Sequence, residues 1–457
     1  MGTLLLKNIR HLVTCDDEDR VLEQASIFIR DGVIISVQEG PVDRAADRVL
    51  DLSGMAVYPG LINTHHHLYQ ILTRNLPEVQ GLELFDWLTR LYSIWQYLTP
   101  DALHDAALAG MGELAKYGCT TVFDHHYVFP GASRELLPAE FAAADALGMR
   151  MVVSRGSMDL SRKDGGLPPD AVVQTLDEIM RSSEETVNEW HDPNPFAMRQ
   201  VVLAPCSPFS VSEDLLRESA KLARHLNVRL HTHLAETKDE ERYLLGKLGI
   251  RPLEYMERLG WTGPDVWYAH GIHFNDAELI RLAETGTGVA HCPASNMKLS
   301  SGVARIPEML KLGIPVGLAV DGSASNDGSS LADEMRIAYL LHRLSAGDEA
   351  PTGYDILKIA TRGSARLLGR PALGQLTEGM AADLFAVKED RLEFAGATFD
   401  VGGMLAAVGL KGPVDYTIIQ GEVAVDQGVL PGLDEERISR RVTEHAKAMS
   451  ERAAVPD

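Results

Sequence analysis

Cysteine is scarce in this sequence, and its placement argues against a scaffold held together by disulfides. The four cysteines among 457 residues stand far apart, and no two of them form a CxxC pair. Because disulfide-dense frameworks belong to small secreted domains, this pattern favours a reducing compartment. The chain start MGTLLLKNIRHL also lacks the basic segment and long apolar stretch of a secretory signal. We therefore expect a cytoplasmic protein.

Long apolar runs are missing too, and basic residues are outnumbered. No run approaches the ~20 apolar residues needed to cross a bilayer, so no membrane partner is expected. The 43 Lys and Arg face 65 Asp and Glu, for a formal net charge of −22. Such a charge repels nucleic acid and anionic lipid. The HxE…PCxxC signature of DNA-editing zinc deaminases is absent as well, which leaves an uncharged small molecule as the expected substrate.

Both ends of the chain are rich in β-forming residues. Residues 1–58 contain apolar runs separated by turns, one of them at Asp31-Gly32, which is a strong hairpin signal. Residues 369–457 have the same character, with a turn at Gly421, and finish in the amphipathic helical stretch EERISRRVTEHAKAM. We expect the two ends to pair into one small composite β-sandwich.

The middle of the chain, residues 59–368, alternates strand and helix. Its helical stretches carry capping residues: Gly118 ends one, Ser212 begins another, and Asn275 with Glu278 forms a capping box on a third. Eight such alternations predict a parallel sheet closed into a (β/α)8 barrel, a TIM-like fold of the α/β class. A doubly wound open sheet is the alternative, but no GxGxxG follows a first strand.

Polar residues cluster where the predicted barrel strands end, and this is where barrels of this kind carry their active sites. His65 and His67 are two apart on a strand, so both side chains face the barrel interior. His231 and His233 repeat the pattern, and their spacing leaves open which one binds metal. Asp321 adds a carboxylate at the last strand. Three histidines and one aspartate leave room for water, the open coordination that a catalytic metal needs.

Five strand-end segments resemble signatures of the amidohydrolase superfamily. They are PGLINTHHH, HTHLAE, HGIHF, HCPASNMKL and VDGSASND. More narrowly, they are similar to its branch of guanine, S-adenosylhomocysteine and chlorotriazine aminohydrolases, and the resemblance runs over essentially the whole chain. It implies one divalent metal, zinc with iron as the alternative, bound by four residues: His65, His67, His233 and Asp321.

The same resemblance implies catalytic roles for the groups beside the metal. Glu236 would shuttle protons to the ring nitrogen and the leaving group, and His270 would orient the hydroxide. Asp321 would accept the proton of the attacking water. A carboxyl group with a raised pKa suits the acid/base duty of Glu236. The fourth strand ends in LAPC at Cys206, without the lysine that bridges two metals in other members, so a single metal is expected.

Substrate contacts are predicted on several strand ends and after the first strand, at Gln70, Arg155, Cys206, His273 and Trp95. The Gln70 amide can both donate and accept hydrogen bonds, and Arg155 can bind a ring carbonyl. Cys206 stands where guanine deaminases carry an Arg-Phe pair, which favours an oxidised or altered ring over guanine. The aromatics of residues 83–95 can form a lid over a planar ring. Three further histidines keep open roles: His125, His126 and His291.

The expected function is therefore a metal-dependent hydrolytic deaminase of a purine-like ring, an oxopurine or pterin, with 8-oxoguanine foremost. Removal of an alkylamine or chloride from an s-triazine is the alternative, because that branch shares these motifs. A non-catalytic structural or assembly protein is the alternative of another class, and the complete ligand set with Glu236 argues against it. Relatives commonly form homodimers or larger assemblies, so a homo-oligomer is expected.

Overall fold

The computed structural model describes residues 2–454. Within that range the chain forms eighteen strands, most of them in two eight-stranded sheets. In chain order the strands are β1 (Thr3–Val13), β2 (Val21–Arg30), β3 (Val33–Glu39), β4 (Arg48–Asp51), β5 (Met55–Pro59), β6 (Leu61–Asn63), β7 (His66–His67), β8 (Cys119–Asp124), β9 (Arg150–Ser157), β10 (Arg199–Pro205), β11 (Leu230–Leu234), β12 (Val266–His270), β13 (Gly288–His291), β14 (Val316–Leu318), β15 (Asp321–Gly322), β16 (Leu384–Lys388), β17 (Tyr416–Ile419) and β18 (Glu422–Asp426).

Helices fill most of the connections between these strands. In chain order the α-helices of residues 2–454 are α1 (Leu84–Trp95), α2 (Pro100–Lys116), α3 (Leu136–Leu147), α4 (Leu176–Trp190), α5 (Glu213–His225), α6 (Lys238–Leu248), α7 (Pro252–Arg258), α8 (Asp276–Thr285), α9 (Pro293–Lys298), α10 (Ile306–Lys311), α11 (Ser323–Asn326), α12 (Leu331–Ala346), α13 (Gly353–Lys358), α14 (Ser364–Leu367), α15 (Val401–Val408) and α16 (Glu435–Ala454). A π-helical turn (Ile359–Gly363) joins α13 to α14.

Eight parallel strands form the barrel that the strand–helix alternation predicts. Their order is β6-β8-β9-β10-β11-β12-β13-β14, so each barrel strand lies beside the next barrel strand along the chain. The first and last strands meet where Thr64 N donates to Leu318 O at 3.1 Å and where β7 pairs with β15 through His66 and Asp321. The barrel prediction is confirmed, and the doubly wound alternative is wrong.

The second sheet combines both ends of the chain, as expected. Its order is β18-β17-β16-β5-β1-β2-β3 with β4 beside β1, and the two ends join where β5 pairs antiparallel with β16. The hairpin turns lie where the sequence predicts them: Asp31 and Gly32 have φ of 49° and 80°, and Gln420 and Gly421 have φ of 51° and 77°. The sheet is curved, and Ala382 N donates to Gly32 O at 2.8 Å. The curved sheet encloses a small apolar core of its own.

Helix ends also follow the sequence. Ser212 Oγ accepts from Leu215 N at 3.1 Å, and Asn275 with Glu278 forms the predicted capping box on α8. The predicted terminal helix is α16, and it packs on α1 and α2 of the barrel. Among residues 2–454, no helix combines the length and apolar character that crossing a bilayer requires.

Candidate active site

The predicted metal ligands meet at the carboxyl ends of the barrel strands. Asp321 Oδ1 lies 3.2 Å from His65 Nε2 and 3.3 Å from His67 Nε2. The Nε2 atoms of His67 and His233 are 3.2 Å apart. All four side chains are buried. The fold thus gathers His233 on the fifth barrel strand and residues that follow the first and last barrel strands into one group, which we call the ligand cluster.

Hydrogen bonds from the outer nitrogens orient two of these imidazoles. His67 Nδ1 donates to the carbonyl of His125 at 2.8 Å, and His233 Nδ1 donates to the carbonyl of Cys206 at 2.6 Å. Because a carbonyl only accepts, the proton of each neutral ring stays on Nδ1. The lone pair of each Nε2 therefore faces the ligand cluster, as in histidines that bind metals.

His65 reaches the same orientation through a second histidine. His65 Nδ1 lies 2.9 Å from His231 Nε2, and His231 Nδ1 donates to Trp267 O at 3.0 Å. Since this carbonyl fixes the His231 proton on Nδ1, His231 accepts at Nε2 and His65 donates to it. The sequence left open which histidine of the pair His231 and His233 ligates. In the structure His233 belongs to the ligand cluster, and His231 lies behind His65.

The ligand cluster fits a divalent metal ion. Its three Nε2 atoms and its carboxylate oxygen are all acceptors, and His65 Nε2 has no hydrogen-bond partner. Burial lowers the pKa of His65, His67 and His233, which keeps these imidazoles in the neutral form that binds metals. A cation between them relieves the repulsion of their lone pairs. Imidazole and carboxylate together suit zinc, and also iron.

Asp321 is held in place by groups that the sequence analysis missed. Its Oδ2 accepts from Ser295 Oγ at 2.6 Å and from Ser325 Oγ at 3.2 Å. Burial alone would raise the pKa of Asp321, but the neighbouring imidazoles, His65 first, hold that pKa well below its usual range. Both serines lie inside motifs quoted above, yet nothing in the spacing of a serine marks it as a partner of a distant carboxylate.

Glu236 and His270 face each other beside the ligand cluster. His270 Nε2 lies 3.6 Å from Glu236 Oε2 and 4.0 Å from Asp321 Oδ2, while His270 Nδ1 donates to Asn296 Oδ1 at 2.9 Å. Burial raises the pKa of Glu236 to about 7. A carboxyl group with such a pKa can hold or release a proton near neutral pH, as a general acid/base requires.

One cavity opens onto the ligand cluster, Glu236 and His270. Its other polar lining residues are Gln70, Tyr127, Cys206, Ser207 and Ser325. Its apolar lining residues are Leu84, Trp87, Leu88, Phe209 and Leu299. No Lys or Arg stands among these lining residues. Burial raises the pKa of the Cys206 thiol to about 11, so the thiol is neutral near pH 7.

Of the predicted substrate contacts, Gln70 and Cys206 line this cavity, whereas Arg155, His273 and Trp95 do not. Arg155 donates to Ser182 Oγ at 3.0 Å and lies in a separate cavity between β9 and α4. His273 Nε2 donates to the carbonyl of Ser301 at 2.9 Å, outside the substrate cavity.

Trp95 is fully buried and donates to Thr73 Oγ1 at 3.1 Å. Trp87, two turns earlier on α1, lines the cavity instead, because that face of the helix turns toward the ligand cluster. Leu84, Trp87 and Leu88 bring the segment of residues 83–95 to the cavity lining, and its role as a lid stays a prediction.

The three histidines with open roles lie outside the cavity lining. His125 stacks on His233 with ring centroids 4.8 Å apart and donates from Nε2 to Ala204 O at 2.9 Å. His126 faces the surrounding helices and donates from Nε2 to Val128 O at 2.9 Å. His291 Nε2 lies 3.1 Å from His342 Nε2 of α12.

The sequence profile of the amidohydrolase family matches residues 56–424, and the chain belongs to that family. It is similar to the 8-oxoguanine deaminase of Pseudomonas aeruginosa, with 44% identity over 93% of this chain and 94% of that protein. It is also similar to the hydroxydechloroatrazine ethylaminohydrolase of Pseudomonas sp. strain ADP, with 42% identity over 96% of this chain and 94% of that protein.

Among solved structures, the chain resembles the atrazine chlorohydrolase of Arthrobacter aurescens TC1 in complex with zinc. The TM-score is 0.93 at 33% sequence identity, covering 97% of this chain and 100% of that one. The deaminase and the ethylaminohydrolase are hydrolases that act on C–N bonds. The chain is an enzyme of that class, and the non-catalytic alternative is set aside.

Proposed function

We propose that this protein is a metal-dependent deaminase of a purine-like ring and that 8-oxoguanine is its substrate. The observation that carries the proposal is the shared cavity: Glu236, with a pKa of about 7, borders the same space as the ligand cluster. A general acid/base beside a buried metal site is what hydrolytic deamination of an aromatic ring requires.

His65, His67, His233 and Asp321 would hold the metal, for which we propose zinc, with iron as the alternative. When bound, the ion supplies Lewis acidity that lowers the pKa of water to about 7. Asp321 Oδ2 is positioned to take up a proton from the attacking water, and His270 Nε2, 4.0 Å away, orients it. Glu236 donates a proton to the ring nitrogen next to the reacting carbon. The ring carbon forms a bond to oxygen and breaks its bond to the amino nitrogen. The proton taken up by Asp321 passes to this amine, which leaves as ammonia, and the proton of the new hydroxyl returns to Glu236, so a keto product remains.

The lining of the cavity supports a neutral, planar substrate. Because none of its lining residues is Lys or Arg, a phosphorylated ligand would find neither of the side chains that usually bind phosphate. Trp87 and Phe209 offer apolar surface to a flat ring, and Gln70 Oε1 is buried without a hydrogen-bond partner. We propose that Gln70 accepts from the base and that the neutral thiol of Cys206 faces a ring carbonyl, which 8-oxoguanine has and guanine lacks at that edge.

The second candidate is an s-triazine hydrolase. It is favoured by the 42% identity to hydroxydechloroatrazine ethylaminohydrolase and by the fold likeness to atrazine chlorohydrolase. Both candidates use the same ligand cluster and the same acid/base, so only the shape and polarity of the cavity separate them.

A substrate panel tests the proposal. Amine release would be measured with zinc-loaded enzyme on 8-oxoguanine, guanine, isoxanthopterin, isocytosine, S-adenosylhomocysteine and hydroxylated triazines. We expect kcat/KM for 8-oxoguanine to exceed that for guanine by at least about a hundredfold, since a buried polar contact left unpaired costs on this order. A higher kcat/KM on a triazine would keep the chemistry and overturn the substrate.

A further inference from the structure

Glu240, in the first turn of α6, binds the backbone that carries Glu236. Its Oε1 accepts from Ala235 N at 3.0 Å, and its Oε2 accepts from Glu236 N at 3.1 Å. The Glu240 side chain is buried, with 1% of the residue exposed. Thr237 Oγ1 accepts from Glu240 N at 3.3 Å, so the helix cap fixes the backbone of Glu240 in turn.

The segment that Glu240 holds has an unusual backbone. Ala235 has φ of 54°, a left-handed conformation that residues with a Cβ rarely adopt. Its carbonyl accepts from the backbone nitrogens of Ile272 and His273, both at 2.9 Å. Ala235 N is thus bonded to Glu240 of α6, and Ala235 O is bonded to the segment after β12. This turn is what directs the Glu236 carboxyl toward His270.

We propose that Glu240 is a positioning residue, whose two carboxylate oxygens hold the turn at Ala235 so that the Glu236 carboxyl faces the cavity. The proposal rests on the acid/base role given to Glu236 above. Two successive N–H donors need two acceptor oxygens on one rigid group, which a glutamate side chain has. Burial raises the pKa of Glu240 to about 8, and the hydrogen bonds from Ala235 N and Glu236 N oppose that rise by favouring the ionised form. A glutamine side chain has one amide oxygen and one NH2 group. It could accept from one backbone N–H, but its NH2 group would then face the other N–H. The role is therefore specific to Glu at this position.

The first test needs no turnover. Hydrogen exchange of the zinc-loaded enzyme would be followed in peptides covering residues 230–241, in wild type, Glu240→Gln and the control Asp239→Asn. Asp239 lies one position earlier, and its side chain is 42% exposed and paired with Arg242 on the same helix. We expect exchange at Ala235 and Glu236 to be slow in wild type and Asp239→Asn, and at least about tenfold faster in Glu240→Gln. Fast exchange of these two amides in the wild-type protein would overturn the proposal, whether or not any variant folds.

The second test separates positioning from a general structural role. In Glu240→Gln we expect kcat to fall by about ten- to a hundredfold, with KM within about threefold of wild type and zinc content unchanged. Because Glu240 acts through Glu236, adding Glu240→Gln to Glu236→Gln should lower the residual kcat by less than about twofold. Full kcat in Glu240→Gln, or equal losses in both backgrounds, would overturn the proposal. Absence of deamination by wild type, with the exchange result as expected, would instead count against the proposed function.

Discussion

His65 Nδ1 and His231 Nε2 lie 2.9 Å apart, and this hydrogen bond connects a proposed metal ligand to the carbonyl of Trp267 on β12. Because His65 donates through Nδ1, this bond leaves His65 Nε2 facing the ligand cluster. A residue that touches no metal therefore controls how well one of the ligands can bind it.

Replacing His231 should weaken metal binding without removing a ligand. We expect His231→Phe to lower zinc affinity by about ten- to a hundredfold, as loss of such partners does, because His65 loses its acceptor. His231→Gln should stay closer to wild type, since its amide can accept from His65 and donate to Trp267. Zinc affinity would be measured by competition with a chelator of known affinity. Equal affinity of wild type and His231→Phe would contradict the orienting role.

The sequence predicted the barrel because its signals are local. Apolar runs, capping residues such as Ser212, and polar strand ends all depend on near neighbours, and each of them reappears in the structure. The pairs His65 with His67 and His231 with His233 were predicted to face the barrel interior for the same reason, since alternate residues of one strand point to the same face. Spacing did not tell His233 from His231 as a ligand. The partners that orient these ligands come from other strands, as the carbonyls of His125 and Cys206 do, and no spacing along the chain reveals them.

Arg155 and Trp95 were predicted to contact substrate, but local sequence signals do not determine which way either side chain points. Arg155 precedes Gly156 near the end of β9, and its side chain points outward to Ser182 of α4. A strand end offers two faces, and the sequence does not say which one an arginine takes. Trp95 and Trp87 lie on one amphipathic helix, and only the packing of α1 against the barrel determines which of them borders the cavity.

The two tryptophans should therefore respond differently to the same substitution. We expect Trp87→Leu to raise KM for the substrate severalfold, because Trp87 borders the cavity; since Trp87 is also buried, this variant loses some stability as well. Trp95→Leu should instead lower the free energy of unfolding by about 2–4 kcal/mol through the void it leaves in the core, with KM close to wild type. Steady-state kinetics and thermal unfolding of both variants would check this. A larger KM change in Trp95→Leu than in Trp87→Leu would contradict the assignment.

The buried carboxyl group of Glu140 predicts how the free energy of unfolding depends on pH. Glu140 on α3 is fully buried, with its Oε1 3.1 Å from His126 Nδ1 and with Asp124 beside it. Burial raises the pKa of Glu140 from 4.5 to about 8. The folded state therefore favours the protonated form. The stability that this proton contributes is complete below pH 4.5 and is lost as the pH rises through about 8.

Thermal unfolding between pH 5 and pH 9 tests this dependence. We expect the melting temperature of wild type to fall as the pH rises toward 9, and that of Glu140→Gln to fall less, because a neutral amide has no proton to lose. The control Glu135→Gln changes an exposed glutamate directly before the same helix and should follow wild type. Parallel curves for wild type and Glu140→Gln would show that Glu140 is ionised in the folded protein throughout.

We propose that Glu236 moves protons during deamination while the ligand cluster holds the metal. The most direct test of this proposal is the reaction of 8-oxoguanine with zinc-loaded wild type and Glu236→Gln, with ammonia, the 2,6,8-trioxopurine product and bound zinc all measured. We predict one ammonia and one trioxopurine per substrate from wild type, and turnover lower by at least about a hundredfold in Glu236→Gln at the same zinc content. Undiminished turnover by Glu236→Gln, or its loss together with the zinc, would contradict the account.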